Sequence, residues 1–396
     1  MPQSRREARS KHGPGDVERS LRDDNTRLQS ENRKLRARSG DDKWLVEEIS
    51  SRVESLGTLP TIKPAAKVQP GKQAYRRPIE AVLAIADPHM EEVVDPEETE
   101  GLAEWNFPLF LRSLWCVAKT TVELVNIMRA KHVVDTLHVV FLGDMVTGEI
   151  HPDVFFSNAF YLPDALVAGP WYWGQAIREL SAHFEHMPCT CICGNHGRLD
   201  HKPTSKRAVG RNWDTCMYSN IAVQTRQCPN VEFRIPRSPK CVIEVNGWYF
   251  LVQHGDRVAQ HGGAMPYYGM ARQRAAETAK RLGGRVRDVE KRLAAGLLFD
   301  YDMRGHHHIF GTTDERTLLC PSMMGNNEFG LDNTFAHKMP GARLFFVDEE
   351  HGMAGDWRIN LAGASEEPRF EPLPVWTGKS EKTSCRVRPT RVGYSS

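Results

Sequence analysis

No apolar run in this 396-residue chain approaches the ~18 residues that a membrane span needs; the candidates are short, such as Ala81–Ala86. The first forty residues are charged and lack the apolar core of a signal peptide. Net charge is almost missing too. The 52 Lys and Arg face 50 Asp and Glu, giving +2, which excludes polyanion binding by bulk composition but leaves local basic patches open. A disulfide framework is excluded by nine cysteines, an odd number scattered along a long chain. There is no internal repeat. With 40% hydrophobic residues, the chain is not disordered throughout. These absences leave a soluble protein without a membrane partner, expected in the cytoplasm, of one large or two modest domains.

Three of the cysteines alternate. Cys189, Cys191 and Cys193 would share one face of a strand. Thiols at i, i+2 and i+4 converge poorly on a tetrahedral ion, so core thiols are the favoured reading and a metal site is the alternative.

Composition divides the chain into four segments. Residues 1–45 are basic, and Leu21, Leu28 and Leu35 fall seven apart with Asn25 and Asn32 between them. That pattern suits a short coiled coil and a homodimer through residues 17–38, or else a solvated helix. Residues 46–78 read as a linker punctuated by Pro60, Pro64, Pro70 and Pro78. Residues 79–363 carry the globular pattern. Strands are expected at 81–86, 137–142 and 188–193, with helices at 103–130 and 172–186 between them. Closely spaced strands follow at 231–235, 240–245 and 248–253, then near 342–348 and 355–361. An α/β sandwich of two sheets accommodates both textures. Residues 364–396 form a Pro-containing, basic and mobile tail.

Chemistry-bearing residues sit where strands end. The first strand runs into Asp87-Pro88-His89 and the second into Gly143-Asp144. The third ends in Gly194-Asn195-His196, a later one in His254, and the last motif is Gly305-His306-His307-His308. Each alone has an ordinary explanation as a turn or a core histidine. Their order, each at the end of its own run, is far more specific than any member.

That ordered set resembles the calcineurin-like metallophosphoesterases over about residues 80–360. The resemblance implies a four-layer α-β-β-α sandwich with a two-metal centre at the carboxyl ends of the strands. It implies that Asp87, His89 and His308 hold one ion, that Asn195, His254 and His306 hold the other, and that Asp144 bridges them. His196 is then a catalytic imidazole beside the metals. The implied reaction is in-line attack of a metal-bridging hydroxide on phosphorus. Mixed imidazole, carboxylate and amide ligands suit Mn first, with Fe, Zn, Ni or Mg as alternatives, better than Ca.

Two departures from the family pattern matter. Gly197-Arg198 follows the third motif where an acidic residue is common, and Arg198 is read either as a phosphate clamp or as an ordinary surface arginine. Met145-Val146-Thr147-Gly148 follows Gly143-Asp144, which weakens a protein serine/threonine phosphatase reading.

The surroundings must supply the substrate. Residues 271–292 hold eight Lys and Arg against three acids, and Arg272, Arg274, Lys280, Arg281, Arg285 and Arg292 are the candidate nucleic-acid contacts. The loop after the third motif adds Lys202, Lys206, Arg207 and Arg211. Trp213, Tyr218, Tyr267 and Tyr268 either stack on bases or pack in the core. A phosphodiesterase acting on nucleic acid, resembling the repair-exonuclease branch, is the favoured expectation. A phosphomonoesterase or small-nucleotide hydrolase is the alternative, and an inactive binding protein of the same fold comes third.

Overall fold

The computed structural model describes residues 42–57, 77–150, 157–258, 265–282, 298–333 and 337–374. The chain divides into two units, Met1–Ser51 and Arg52–Ser396. The leucine heptads lie outside the described residues. Helix α1, Asp42–Ser55, occupies the start of the expected linker. The spacing of Ile49 and Val53, four apart, was the available signal for it.

The second unit is built on two sheets. Strands β1 (Ile79–Ile85), β2 (Leu137–Phe141), β3 (Met187–Cys191) and β4 (Val231–Arg234) pair in parallel. Strands β10 (Gly341–Asp348) and β11 (Gly352–Asn360) extend this sheet antiparallel, in the order β11-β10-β1-β2-β3-β4. The other sheet has the order β5-β6-β7-β9-β8, from Lys240–Val245, Trp248–Gln253, Tyr301–Arg304, Thr317–Leu319 and Gly311–Thr313 respectively.

The sheets pack face to face. Val82, Ala84, Val140 and Leu142 of the first meet Ile243, Phe250, Val252 and Met303 of the second. The other face of β2 meets helices: Phe141 packs edge-on against Trp173 and tilted on Tyr218. Those rings belong to α3 (Leu162–Ser181) and α4 (Trp213–Gln224), beside α2 (Phe107–Arg129). Burial on both faces is why β1 after Glu80 and β2 after His138 read as apolar runs. Across the second sheet, α5 (Tyr267–Leu282) packs Met270 against Val258 and Leu319. The order of layers is therefore α-β-β-α, as the resemblance implies.

Some elements differ from expectation. Helix α3 begins ten residues before the expected 172 and runs through Pro170, which removes one N–H from its ladder. Nearly every residue from Ala165 to Ser181 is buried, and that packing holds the helix together. Strand β7 has a polar sequence, Tyr-Asp-Met-Arg, so periodicity did not show it. Asp302 and Arg304 are fully buried as an ion pair, and Gln253 and Gln273 satisfy their remaining groups. The first residues of the expected 364–396 tail pack against helices. Glu366 and Glu367 bond Trp115 and Arg112 of α2, while the Glu371 carbonyl accepts from Trp171 and Gln175 of α3. Phe370 lies against both Trp115 and Tyr172.

Cys189, Cys191 and Cys193 are buried, and burial pushes all three thiols up. Among the described residues no candidate metal group contains a cysteine. No helix among them is long and apolar enough to cross a membrane.

Candidate functional site

The carboxyl ends of β1, β2, β3, β6 and β7 converge, and two glycines permit it. A Cβ on Gly143 would lie 2.2 Å from the Gly194 nitrogen, and one on Gly194 would lie 2.1 Å from Asp144 Oδ1. Only glycine lets the loops after β2 and β3 touch this closely. Five candidate ligands, Asp87, His89, Asp144, His306 and His308, have φ between 40° and 65°. That left-handed backbone is uncommon outside glycine and collects at functional sites. Here it turns each side chain off its strand end toward one centre.

Three groups of side chains form there: Asp87–His89–His308, His89–Asp144–His196 and Asp144–His254–His306. Within each group the ligand atoms lie within 4.8 Å of one another. Asp144 and His89 each belong to two groups. Asp144 Oδ2 lies 3.0 Å from His254 Nε2, and the same nitrogen is 2.9 Å from Asn195 Oδ1. All seven sequence-identified ligand candidates and His196 therefore meet in one place.

The imidazoles are oriented by their other nitrogen. Nδ1 of His254 donates to the Leu142 carbonyl at 2.7 Å, that of His308 to Gly325 at 2.8 Å, and that of His196 to Thr147 at 3.1 Å. A carbonyl only accepts, so Nδ1 carries the proton whenever these rings are neutral, and Nε2 is left with its lone pair. His89 is different. Its buried Nδ1 has no hydrogen-bond partner, with Glu92 Oε2 at 3.6 Å.

The electrostatics are those of buried imidazoles gathered around a carboxylate. Burial and then the neighbouring His196 hold His89 well below the usual imidazole range, while burial and then His254 do the same to His306. Burial alone would lower His254 as well, but the adjacent Asp144 carboxylate raises it to about 10. Burial would raise Asp144, yet His254, His196 and His89 hold it well below the carboxylate range.

Sequence reasoning missed the groups that brace this centre. Asp214, fully buried in the first turn of α4, accepts the N–H groups of Asp144, Met145 and Gly194 at 3.0, 3.1 and 2.8 Å. Burial and then the nearby Asp144 raise its carboxyl to about 7. The only signal for it was an Asp two residues after Asn212, which reads as helix capping. Buried Glu91 accepts from Thr147 and Gly148 at 2.8 and 3.1 Å, and Glu92 accepts from Asn327 at 2.7 Å.

The other candidates are placed less simply. Arg198 turns its guanidinium onto the carbonyls of Asp200, Asn195 and His201 at 3.0, 3.1 and 3.1 Å, and so braces its own loop. On α5, Arg274 pairs with Asp314 at 3.0 Å, and Lys280 and Arg281 face Glu277 at 2.9 and 3.9 Å. Arg272 is exposed, while Arg285 and Arg292 lie outside the described residues. Trp213 and Tyr218 are core residues, whereas Tyr267 and Tyr268 are exposed.

The fold and site together define an α-β-β-α sandwich with a histidine–carboxylate centre at its strand ends. No protein-family model matches the sequence, and no curated protein is similar to it. Among solved structures, Vps29 complexed with Zn from Entamoeba histolytica is 13% identical, covering 71% of this chain and 99% of its own, at a TM-score of 0.25. Vacuolar protein sorting 29 from Cryptosporidium parvum is 10% identical over 71% and 98%, at 0.28. A Streptococcus pneumoniae TIGR4 protein described as a predicted phosphoesterase is 9% identical over 71% and 98%, at 0.25.

Proposed function

We propose that the chain is a metallophosphoesterase of the calcineurin-like type, hydrolysing phosphoesters with two divalent cations. The observation that carries this reading is that Asp144 groups with His89 and His196 on one side and with His254 and His306 on the other, while His89 also groups with Asp87 and His308. Imidazoles, buried carboxylates and an amide oxygen are together a donor set for Mn, Fe, Zn or Ni. The unpartnered Nδ1 of buried His89 marks a ring whose position is held for something other than a protein hydrogen bond.

Asp87, His89 and His308 would hold one cation and Asn195, His254 and His306 the other, with Asp144 between them. The chemistry supplied by such a loaded centre is Lewis-acid polarisation of the phosphoryl group and activation of water near neutral pH. The chain's own residues do the rest. Asp144 is kept in register by the His196 N–H, which donates to Oδ1 at 2.6 Å, and by Asp214 on its own N–H. His196 lies beside the cluster, grouped with His89 and Asp144, where its imidazole can stabilise charge on the phosphoryl oxygens or hand a proton to the leaving oxygen.

Within this class we favour a phosphodiester substrate, because five Lys and Arg against one Asp line residues 198–211, directly after the third motif. The test is hydrolysis of a bis-aryl phosphodiester and an aryl monoester by the purified full chain, titrated with Mn²⁺, Fe²⁺, Zn²⁺ and Ni²⁺. Turnover of the diester with metal, and none after chelation, is the expected result. No turnover of either ester with any metal overturns the proposal.

A further inference from the structure

We propose that the cleft beside Asn195 is a subsite for a second phosphoryl group of the substrate, one linkage from the phosphorus under attack. This rests on the hydrolase reading above and narrows its substrate class to compounds carrying two linked phosphoryl groups. The cleft is small, about 40 Å³, is open to solvent, and is lined by Gly194 and Asn195 at one end. Asn195 Oδ1 is 2.9 Å from His254 Nε2, so a group seated in the cleft adjoins the histidine–carboxylate centre. Its walls bring together Arg198, Arg211 and Arg257.

The three arginines are held differently. Arg198 is fixed by the three carbonyls of its loop, which places its charge at the wall while occupying its donors. Arg211 meets Asp200 at 3.1 Å and Arg257 meets Asp256 at 3.3 Å, and these arginine side chains are 43% and 47% exposed. Arg211 reaches both oxygens of Asp200, at 3.1 and 3.3 Å, so the pair of Arg257 with Asp256 is the weaker of these two exposed ion pairs. A phosphate dianion offers a guanidinium more charge and the same planar match as a carboxylate, so it can take the place of Asp200 or Asp256. The surrounding loop supplies Lys202, Lys206 and Arg207 at the surface, so the cleft lies in a positive field. By contrast, Glu277 on α5 is buried beneath Lys280 and Arg281, which leaves that helix less able to recruit an anion.

The experiment uses two non-hydrolysable probes, methylphosphonate and methylenediphosphonate, titrated calorimetrically into the Mn²⁺-loaded full chain. The second phosphoryl group is expected to tighten binding about tenfold, the worth of one charge-assisted pair. That preference should fall to about threefold or less in Arg257→Ala and in Arg211→Ala, and return in part in Arg257→Lys, which keeps the charge and loses the fork. Equal preference in wild type and both alanine variants overturns the subsite. So does the absence of any preference in wild type. If Arg211→Ala melts early by circular dichroism, Arg257→Ala decides alone.

Two further ligands separate the sources of such a group: a 5′-phosphorylated phosphorothioate dithymidylate for a polynucleotide strand, and α,β-methylene-ADP for a nucleoside polyphosphate. The one whose affinity depends more on Arg257 names the source. An Arg257-dependent preference in a chain that turns over no phosphoester would overturn the hydrolase reading and keep the subsite. Diester turnover with no such preference would do the reverse.

Discussion

Oδ2 of Asp144 lies 3.0 Å from Nε2 of His254, a contact between a loop of one sheet and a loop of the other. Both groups are buried, and an ionised carboxylate in that setting needs positive charge beside it. A proton raised to stay on His254 meets that need in the protein alone. Divalent cations would meet it more strongly. The same pairing therefore accounts for the shifted pKa of His254 and for the metal-binding reading.

The first prediction is that activity toward the bis-aryl diester disappears on metal removal and returns on adding back Mn²⁺ or another first-row divalent ion. Elemental analysis beside the rate is the measurement. Full turnover in a chain confirmed free of metal contradicts the mechanism.

Replacing Asp144 with Asn should be the most damaging change among the ligands, because one shared anionic group is lost from both sides of the centre. Metal content should drop for both ions together. Retention of two ions and a near-wild-type rate would show that Asp144 does not bridge.

His196→Ala should lower turnover about 10²–10⁴-fold, the usual worth of acid–base help, while two metals stay bound. His196 lies in a group with His89 and Asp144, so loss of an ion in this variant would make it a ligand instead.

Asp214→Ala should cost about 3 kcal/mol or more of stability, since three buried N–H groups lose their acceptor together. Asp214→Asn keeps an acceptor oxygen and should cost less. Denaturant midpoints at unchanged slope give the comparison.

Glu277 links α5 to β5 through Lys240 at 2.6 Å. Burial would raise its carboxyl, but Lys240 and Lys280 bring it below the usual range. A lowered carboxylate stabilises the fold above its unfolded pKa, about 4.3, and loses that contribution as pH falls through the folded value. Glu277→Gln should therefore be destabilised at pH 7, and its difference from wild type should shrink below about pH 4.

The candidate ligand positions were legible because histidines, carboxylates and amides stand out at strand ends. Asp87, Gly143-Asp144 and Gly194-Asn195-His196 follow apolar runs whose burial on both faces leaves an unmistakable pattern. His306 and His308 were found by composition alone, since β7 before them carries a buried ion pair in place of apolar residues. The basic residues of 271–292 were read as one charged face. Side-chain pairing with Glu277 and Asp314 engages several of the described ones, and such pairing leaves no trace in spacing.

The sequence by itself determined the alternation of strands and helices, the two-sheet α/β class and which residues are candidates for the site. These depend on local periodicity and on residue type, which are written in order along the chain. Only the tertiary structure decided that Asp214, seventy residues from Asp144, holds the second and third motifs together. It alone turned Arg198 inward onto its loop and left Arg211 and Arg257 around a cleft beside Asn195. Those are contacts between segments distant in sequence, set by how two sheets close on one core, and no local pattern records them.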